Sequence, residues 1–148
     1  MLYITSDHRG FELKERIKSY LDTKGIAYED LGAFYYDPHD DYPDYAQALA
    51  RKIVEDKESL GIALCGSGAG MSIALNKFDD IRAGLAYDEK MGEIQKQHDN
   101  INVLVIPSDF VRAQDAELMI EKFLSATFNT QEKYKRRLDK IEKIEESN

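Results

Sequence analysis

Short apolar runs alternate with longer amphipathic ones along this chain, and the two rhythms predict strands and helices in turn. Leu2 to Thr5 is a short apolar run that ends in Ser6, Asp7 and His8. From Phe11 to Leu21 the spacing becomes helical, with Leu13, Ile17, Tyr20 and Leu21 on one face, and Gly25 stops the helix. Ile26 to Leu31 predicts a second strand. Gly32 to Tyr42 is a polar loop, and Pro43 suits the first turn of a helix continuing from Tyr45 to Val54. Leu60 to Leu64 predicts a buried strand that runs into Cys65-Gly66-Ser67-Gly68-Ala69-Gly70. Met71 to Lys77 then predicts a helix, Ile81 to Ala86 a strand, Glu89 to His98 a helix and Asn102 to Ile106 a fifth strand. Val111 to Phe128 predicts a helix that buries Ala113, Ala116, Met119, Ile120 and Phe123. A last charged helix, about Gln131 to Glu146, carries a narrow stripe of Tyr134, Leu138, Ile141 and Ile144.

Short apolar strands separated by helices make βαβ units, whose parallel sheet is covered on both faces. The expected architecture is α/β: a Rossmann-like three-layer fold with a five-stranded parallel sheet, helices on both faces and a C-terminal extension helix. Residues 1–148 have the length of one ordinary domain. The tail from about residue 130 has a stripe suited to lying across a surface, either of its own domain or of a neighbouring subunit.

Composition narrows the function. A formal net charge of −8 argues against a nucleic-acid partner, which calls for a basic face. The one dense cationic run is Lys133 to Arg137. No apolar run approaches the roughly 20 residues of a membrane span, and the first residues lack the basic and apolar regions of a signal peptide. A lone cysteine, Cys65, fits a reducing compartment. These features together predict a cytoplasmic protein.

In an open parallel sheet, ligands bind beyond the carboxyl ends of the strands, at the switch point. Asp7 and His8 close the first strand there, and Cys65 with its glycine loop closes the third. If those strands are neighbours, the loops share one crevice. Gly66, Gly68 and Gly70 leave the backbone free to turn its amides inward, and the helix behind adds its positive end, so the loop suits an anion or oxyanion. The spacing is neither a dinucleotide fingerprint nor a Walker loop, and a tight strand-to-helix turn accounts for the glycines equally well. Cys65 before a helix N-terminus is expected to have a lowered pKa; the alternative is a small buried hydrophobe. His98 suits a general acid or base, or simply a polar helix end. Asp7 suits a sugar hydroxyl or a helix cap. Asp37, Asp40, Asp41 and Asp44 match no calcium loop, His39 reads as solvated surface, and no metal or other cofactor is expected.

Six segments in order carry a resemblance: Ser6-Asp7-His8-Arg9-Gly10-Phe11, Asp41-Tyr42-Pro43, Cys65 through Ala74, Asn76-Lys77, Ile81-Arg82-Ala83 and Gln97-His98-Asp99-Asn100 continuing as Ile101-Asn102-Val103-Leu104. Together they resemble the type-B ribose-5-phosphate isomerases, in the family that also holds galactose-6-phosphate isomerase subunits. The resemblance covers essentially the whole chain. It implies interconversion of ribose 5-phosphate and ribulose 5-phosphate without a metal, with Cys65 as the base and a cis-enediolate held by the amides of Gly66, Gly68, Ala69 and Gly70. It implies that His98, helped by Ser67, opens the furanose ring. Asp7, His8, Tyr42, Asp99, Lys133 and Arg137 then bind sugar and phosphate. It implies a homodimer or homotetramer whose sites are shared between subunits.

The chain departs from the family pattern at three places. Asp99 stands where many relatives have Asn, Asp109 where an arginine is expected, and Lys133 where one tail arginine is expected. Arg112 is the nearby residue that can replace the charge missing at Asp109. Two alternatives fit the same residues: an isomerase of a six-carbon sugar phosphate such as allose or galactose 6-phosphate, and a catalytically silent sugar-phosphate-binding module.

Overall fold

In the computed structural model, which describes residues 1–148, the apolar runs become β1 (Leu2–Ser6), β2 (Glu29–Asp30), β3 (Leu60–Cys65), β4 (Ala83–Leu85) and β5 (Val103–Pro107). The amphipathic runs become α1 (Phe11–Thr23), α2 (Tyr42–Glu55), α3 (Ala69–Leu75), α4 (Glu89–Asp99), α5 (Ala113–Ser125) and α6 (Glu132–Glu146). All five strands pair in parallel, in the order β2-β1-β3-β5-β4. The expected three-layer α/β fold is therefore the observed one.

Strand alternation builds the two cores. Ile4, Ile62, Leu64 and Leu104 face Ile17 and Leu21 of α1 and Ile120 and Phe123 of α5. Tyr3, Ala63, Cys65 and Val105 face the other way, onto Leu49 and Ile53 of α2 and Met71 and Leu75 of α3. Successive residues of a strand point to opposite faces, so a sheet buried on both sides needs unbroken apolar runs. Cys65 is the last inward position on the α2/α3 side.

Four element boundaries differ from the sequence expectation, each for a local reason. The strand expected over Ile26 to Leu31 shrinks to β2, because the Ile26 amide turns back to close α1 on the Leu21 carbonyl (3.0 Å). The helix after the glycine loop starts at Ala69 rather than Met71. Gly68 serves as its N-cap in the left-handed region (φ +79°), which other residues reach only with strain. Helix α5 is shorter at both ends, since Phe110 closes a turn on Pro107 (2.9 Å) and Asn129 bonds Gln97 on α4 (2.8 Å). Strand β4 keeps only three residues, because the Arg82 amide is taken by the Asn102 side chain (2.8 Å).

The tail helix packs on its own chain. Tyr134 is buried against α4, and Glu145 accepts from the Asp80 amide (3.0 Å). Ile141 and Ile144 of the same stripe stay exposed.

One buried cation ties α1 to the loop after β2. The Lys14 side chain is fully buried, and its ammonium donates to Asp30 (2.7 and 2.9 Å) and to the Ala33 carbonyl (2.6 Å). Burial alone would raise the Asp30 carboxyl, but Lys14, Lys18 and the Gly32 amide outweigh it and hold its pKa below the usual value. That contribution to stability is present above the ordinary carboxylate pKa of about 4 and is lost as the pH falls through the lower folded value. Lys14→Met removes one partner of a buried pair and leaves Lys18 to hold Asp30. Urea denaturation is expected to show a loss of about 2–4 kcal/mol at neutral pH, shrinking as the pH is lowered toward 3. A loss below about 0.5 kcal/mol would show that the pair is not a stabilising tie.

Candidate active site

The site is assembled at the carboxyl ends of three adjacent strands. Ser6 pairs with Leu64, and Cys65 pairs with Pro107, so the ends of β1, β3 and β5 are level. The Asp7 amide then reaches the Leu64 carbonyl (3.3 Å), while Ser108 and Asp109 donate to the carbonyls of Cys65 (2.9 Å) and Gly66 (3.0 Å). A Cβ at Gly10 would lie 2.6 Å from the Leu64 Cβ, so only glycine allows α1 to start so close to β3.

A depression of about 370 Å³ opens over these ends, lined by Asp7, Arg9, Tyr42, Cys65, Gly66, Ser67, Gly70, Asp109 and Phe110. The expected shared crevice between the first and third strands is present. Tyr42, at the start of α2, lays its ring against Gly70, where any Cβ would collide with it. Ser67 Oγ accepts from the Ala69 amide (3.3 Å), which folds the loop into the first turn of α3.

Asp7 is almost fully buried and takes the amides of Arg9 (3.0 Å) and Gly10 (3.1 Å) on one carboxylate oxygen. It therefore caps the turn into α1 and also lines the depression. Burial raises its pKa, opposed by those amides and by His8.

Cys65 corrects the sequence expectation. Its pKa is raised, not lowered. Burial is the main cause; the amides of Met71 and Gly68 favour the thiolate, but they do not overcome burial together with the carboxylates of Asp7 and Asp109. A helix N-terminus lowers a thiol pKa only when the rest of the environment does not oppose it.

The remaining expected site residues fall outside this depression. His8 stands beside it, with Nδ1 2.6 Å from Asp40 Oδ1, and its amide donates to the same oxygen (3.0 Å). Tyr45 donates to the other Asp40 oxygen (3.0 Å), and burial followed by that carboxylate pushes the Tyr45 pKa up to about 12. His98 stacks on Tyr134 (ring centroids 4.6 Å apart), with Nε2 3.3 Å from the Tyr134 hydroxyl. Lys133 and Arg137 lie against the same tyrosine ring, at 5.0 and 5.8 Å. Asp99 lines a separate cleft of about 530 Å³ between the β4 region and α6, which is larger but is lined by no cysteine, serine or histidine. Thus one chain presents two groups: Cys65, Ser67, Asp7, Tyr42 and the glycines in the depression, and His98, Lys133 and Arg137 around Tyr134. Gly68 and Ala69 belong to the first group through the loop backbone.

Asp7, His8 and Asp40 bring one donor atom each within 4.8 Å of one another, a spacing that suits a metal. Both Asp40 oxygens and one Asp7 oxygen are already used by protein donors, which leaves a poor ligand set.

Sequence reasoning missed Asp40, Tyr45, Tyr134 and Arg9. Asp40 was hidden among four loop aspartates, and nothing local marks it as the partner of His8. Arg112 does not replace the charge missing at Asp109: it pairs with Asp115 (3.0 Å) away from the depression, whereas Asp109 itself pairs with Arg9.

The sequence matches the family model described as Ribose/Galactose Isomerase over residues 2–141. A ribose-5-phosphate isomerase B of Mycolicibacterium paratuberculosis is 35% identical over 144 residues, covering 97% of this chain and 91% of the relative. The crystal structure of ribose-5-phosphate isomerase B from Mycoplasma genitalium, with bound ribulose-5-phosphate, superposes with a TM-score of 0.94. It is 39% identical, and the match covers 99% of this chain and 97% of that one. The ribose 5-phosphate isomerase of Thermotoga maritima gives 0.91 at 41% identity, with 96% and 97% covered. Level strand ends, a glycine loop behind a buried thiol, and agreement along nearly the full length of these proteins lead to one conclusion: the chain belongs to the ribose/galactose isomerase family of aldose–ketose isomerases.

Proposed function

We propose that this chain interconverts ribose 5-phosphate and ribulose 5-phosphate, with Cys65 moving a proton between C2 and C1 through a cis-enediolate and without a metal. The observation that carries the reading is Cys65 at the end of β3, directly before the glycine loop and α3, in one depression with Ser67 and Asp7. Proton abstraction beside a carbonyl needs a base, fixed donors for the oxyanion, and an anchor for the rest of the substrate. The Cys65 thiolate takes the C2 proton of the open aldose. The negative charge moves onto the carbonyl oxygen, where glycine-loop amides stabilise it. The resulting thiol returns the proton to C1, and a proton passes from the C2 hydroxyl to the C1 oxygen, giving the ketose. The raised thiol pKa makes the thiolate scarcer near neutral pH but a stronger base when formed.

His98, assisted by Ser67, opens the furanose ring in this reading, and His8, Lys133 and Arg137 meet the phosphate. His98, Lys133 and Arg137 stand apart from their own chain's Cys65, so a homodimer or homotetramer supplies them across an interface. Residues of one group then complete the other in the neighbouring subunit. A free thiol as base suits a reducing, cytoplasmic setting; no helix is long and apolar enough to cross a membrane.

Four outcomes test this reading. In a panel of five- and six-carbon aldose phosphates, ribose 5-phosphate is expected to give the highest kcat/KM for ketose formation. Cys65→Ala is expected to cut that value roughly 10²–10⁴-fold with an unchanged circular dichroism spectrum. Near-full turnover by the variant would remove Cys65 from the chemistry. Alkylation of the folded protein by iodoacetamide reports the thiolate directly. Its rate is expected to climb with pH to a midpoint above the ordinary thiol value of about 8.5, because burial and two carboxylates disfavour ionisation; a midpoint below it would restore the effect of the helix terminus as the stronger one. Finally, inactive Cys65→Ala chains mixed with inactive Arg137→Ala chains are expected to recover activity on subunit exchange. No recovery despite exchange, shown by mass-labelled chains, would place both groups of one site in the same chain.

A further inference from the structure

From the Cys65 depression, we infer that Arg9, braced by Asp109 across the glycine loop, adds a cation of the same chain to the phosphate contact and so helps to select a phosphorylated substrate there. The inference rests on the isomerase reading above and adds a specificity-determining residue to it. Among the nine residues lining the depression, Arg9 is the one cation, set against the carboxylates of Asp7 and Asp109. A dianionic ligand entering a cleft with two carboxylates and a thiol needs a positive group at its rim. Arg112 is paired with Asp115 away from the depression, and Lys133 and Arg137, which the reading above brings from a neighbouring subunit, lie on the Tyr134 ring of their own chain, so Arg9 is the cation that the chain carrying Cys65 itself supplies.

Arg9 is also held in a geometry suited to the task. Its amide bonds Asp7 Oδ1, which fixes the backbone at the end of β1. Its guanidinium crosses the β3 end and pairs through one terminal nitrogen with Asp109, which is itself fixed by its amide on the Gly66 carbonyl. The strap lies directly on the loop. A Cβ at Gly66 would fall 2.8 Å from Arg9 Nε and 2.9 Å from Asp109 Oδ2, so the pair lies in contact with the loop and a larger residue there would have to push it aside. The guanidinium offers five donors in a rigid fork, and Asp109 occupies one edge. The remaining edge makes no bond to protein, and more than half of the side chain is open to solvent. A guanidinium braced by a carboxylate has lost part of its rotamer freedom before the phosphate arrives, which favours a bidentate contact.

Steady-state kinetics with inorganic phosphate as a competitive probe test the assignment. Arg9→Ala is expected to raise KM for ribose 5-phosphate about 10- to 100-fold and to weaken inhibition by inorganic phosphate by a similar factor. The effect on kcat is expected to be smaller, since the contact is made in ground and transition states alike. Arg9→Lys is expected to recover part of the loss, as a point charge without the fork. A residue that merely supported the loop would lower kcat or thermal stability and leave phosphate inhibition alone. A folded Arg9→Ala enzyme with unchanged KM and unchanged phosphate inhibition overturns the inference. If the wild-type protein turns over no ribose 5-phosphate, calorimetry with inorganic phosphate separates the two ideas. Binding to wild type that is lost in Arg9→Ala keeps the Arg9 assignment while the reaction assignment falls; no binding to wild type overturns both.

Discussion

Everything at the site depends on the parallel pairing of β1, β3 and β5 with their ends level. Parallel strands deliver all their carboxyl ends to one edge of the sheet. Here that edge receives a carboxyl group, a thiol with a glycine loop, and a second carboxyl group from three neighbouring strands. A one-residue slip in β3 would turn Cys65 to the α1/α5 face and expose Leu64 to the other core, because side chains alternate with a period of two. The register is fixed by close fits: Gly10 admits α1 only against Leu64, and Gly61 passes between Leu49 and Val103 with no room for a slipped side chain. Packing of the cores and placement of the chemistry are thus one constraint.

The same convergence sets the electrostatic character of the site. Bringing Asp7 and Asp109 to the thiol raises the Cys65 pKa together with burial, against the pull of two backbone amides. A site tuned for a resting thiolate would remove those carboxylates. A site tuned for a strong base that ionises on demand keeps them, provided that its oxyanion donors are already in place. Backbone amides suit this role because they need no reorganisation when charge appears. The left-handed Gly68 matters for that reason: it lets the chain turn from strand to helix within the loop, and its amide favours the thiolate.

Much of this was legible in the sequence, and the limits have physical causes. Strand and helix order followed from periodicity, since buried strands and amphipathic helices write different patterns. The crevice holding Asp7, Cys65 and the glycines followed from those elements once strands one and three were taken as neighbours. Boundaries were less legible where a side chain replaced a ladder bond, as Asn102 does for Arg82. The direction of the Cys65 shift was misread because it is a balance of local amides, which sequence shows, and distant carboxylates, which it does not. Asp40 and Tyr45 position His8 through contacts that span a flexible-looking loop. Arg9 and Asp109 are 100 positions apart and meet only because β1 and β5 flank β3.

The tail shows how a charged helix can be held by one aromatic residue. Its stripe is too narrow to hold a helix by apolar burial alone, and its hold near the start is Tyr134, sandwiched against His98. Lys133 and Arg137 flank that ring on the same helix, four positions apart and hence on one face. Docking Tyr134 therefore fixes the directions of an imidazole and two cations together, far more economically than separate anchors would. Because the ring that orders them is part of α6, loss of the tail would be felt at His98 as well as in the cation pair. The exposed Ile141 and Ile144 continue the stripe along the cleft between α6 and the β4 region, where Glu145 accepts from the Asp80 amide, so the second half of the helix is held by a polar contact rather than by apolar burial.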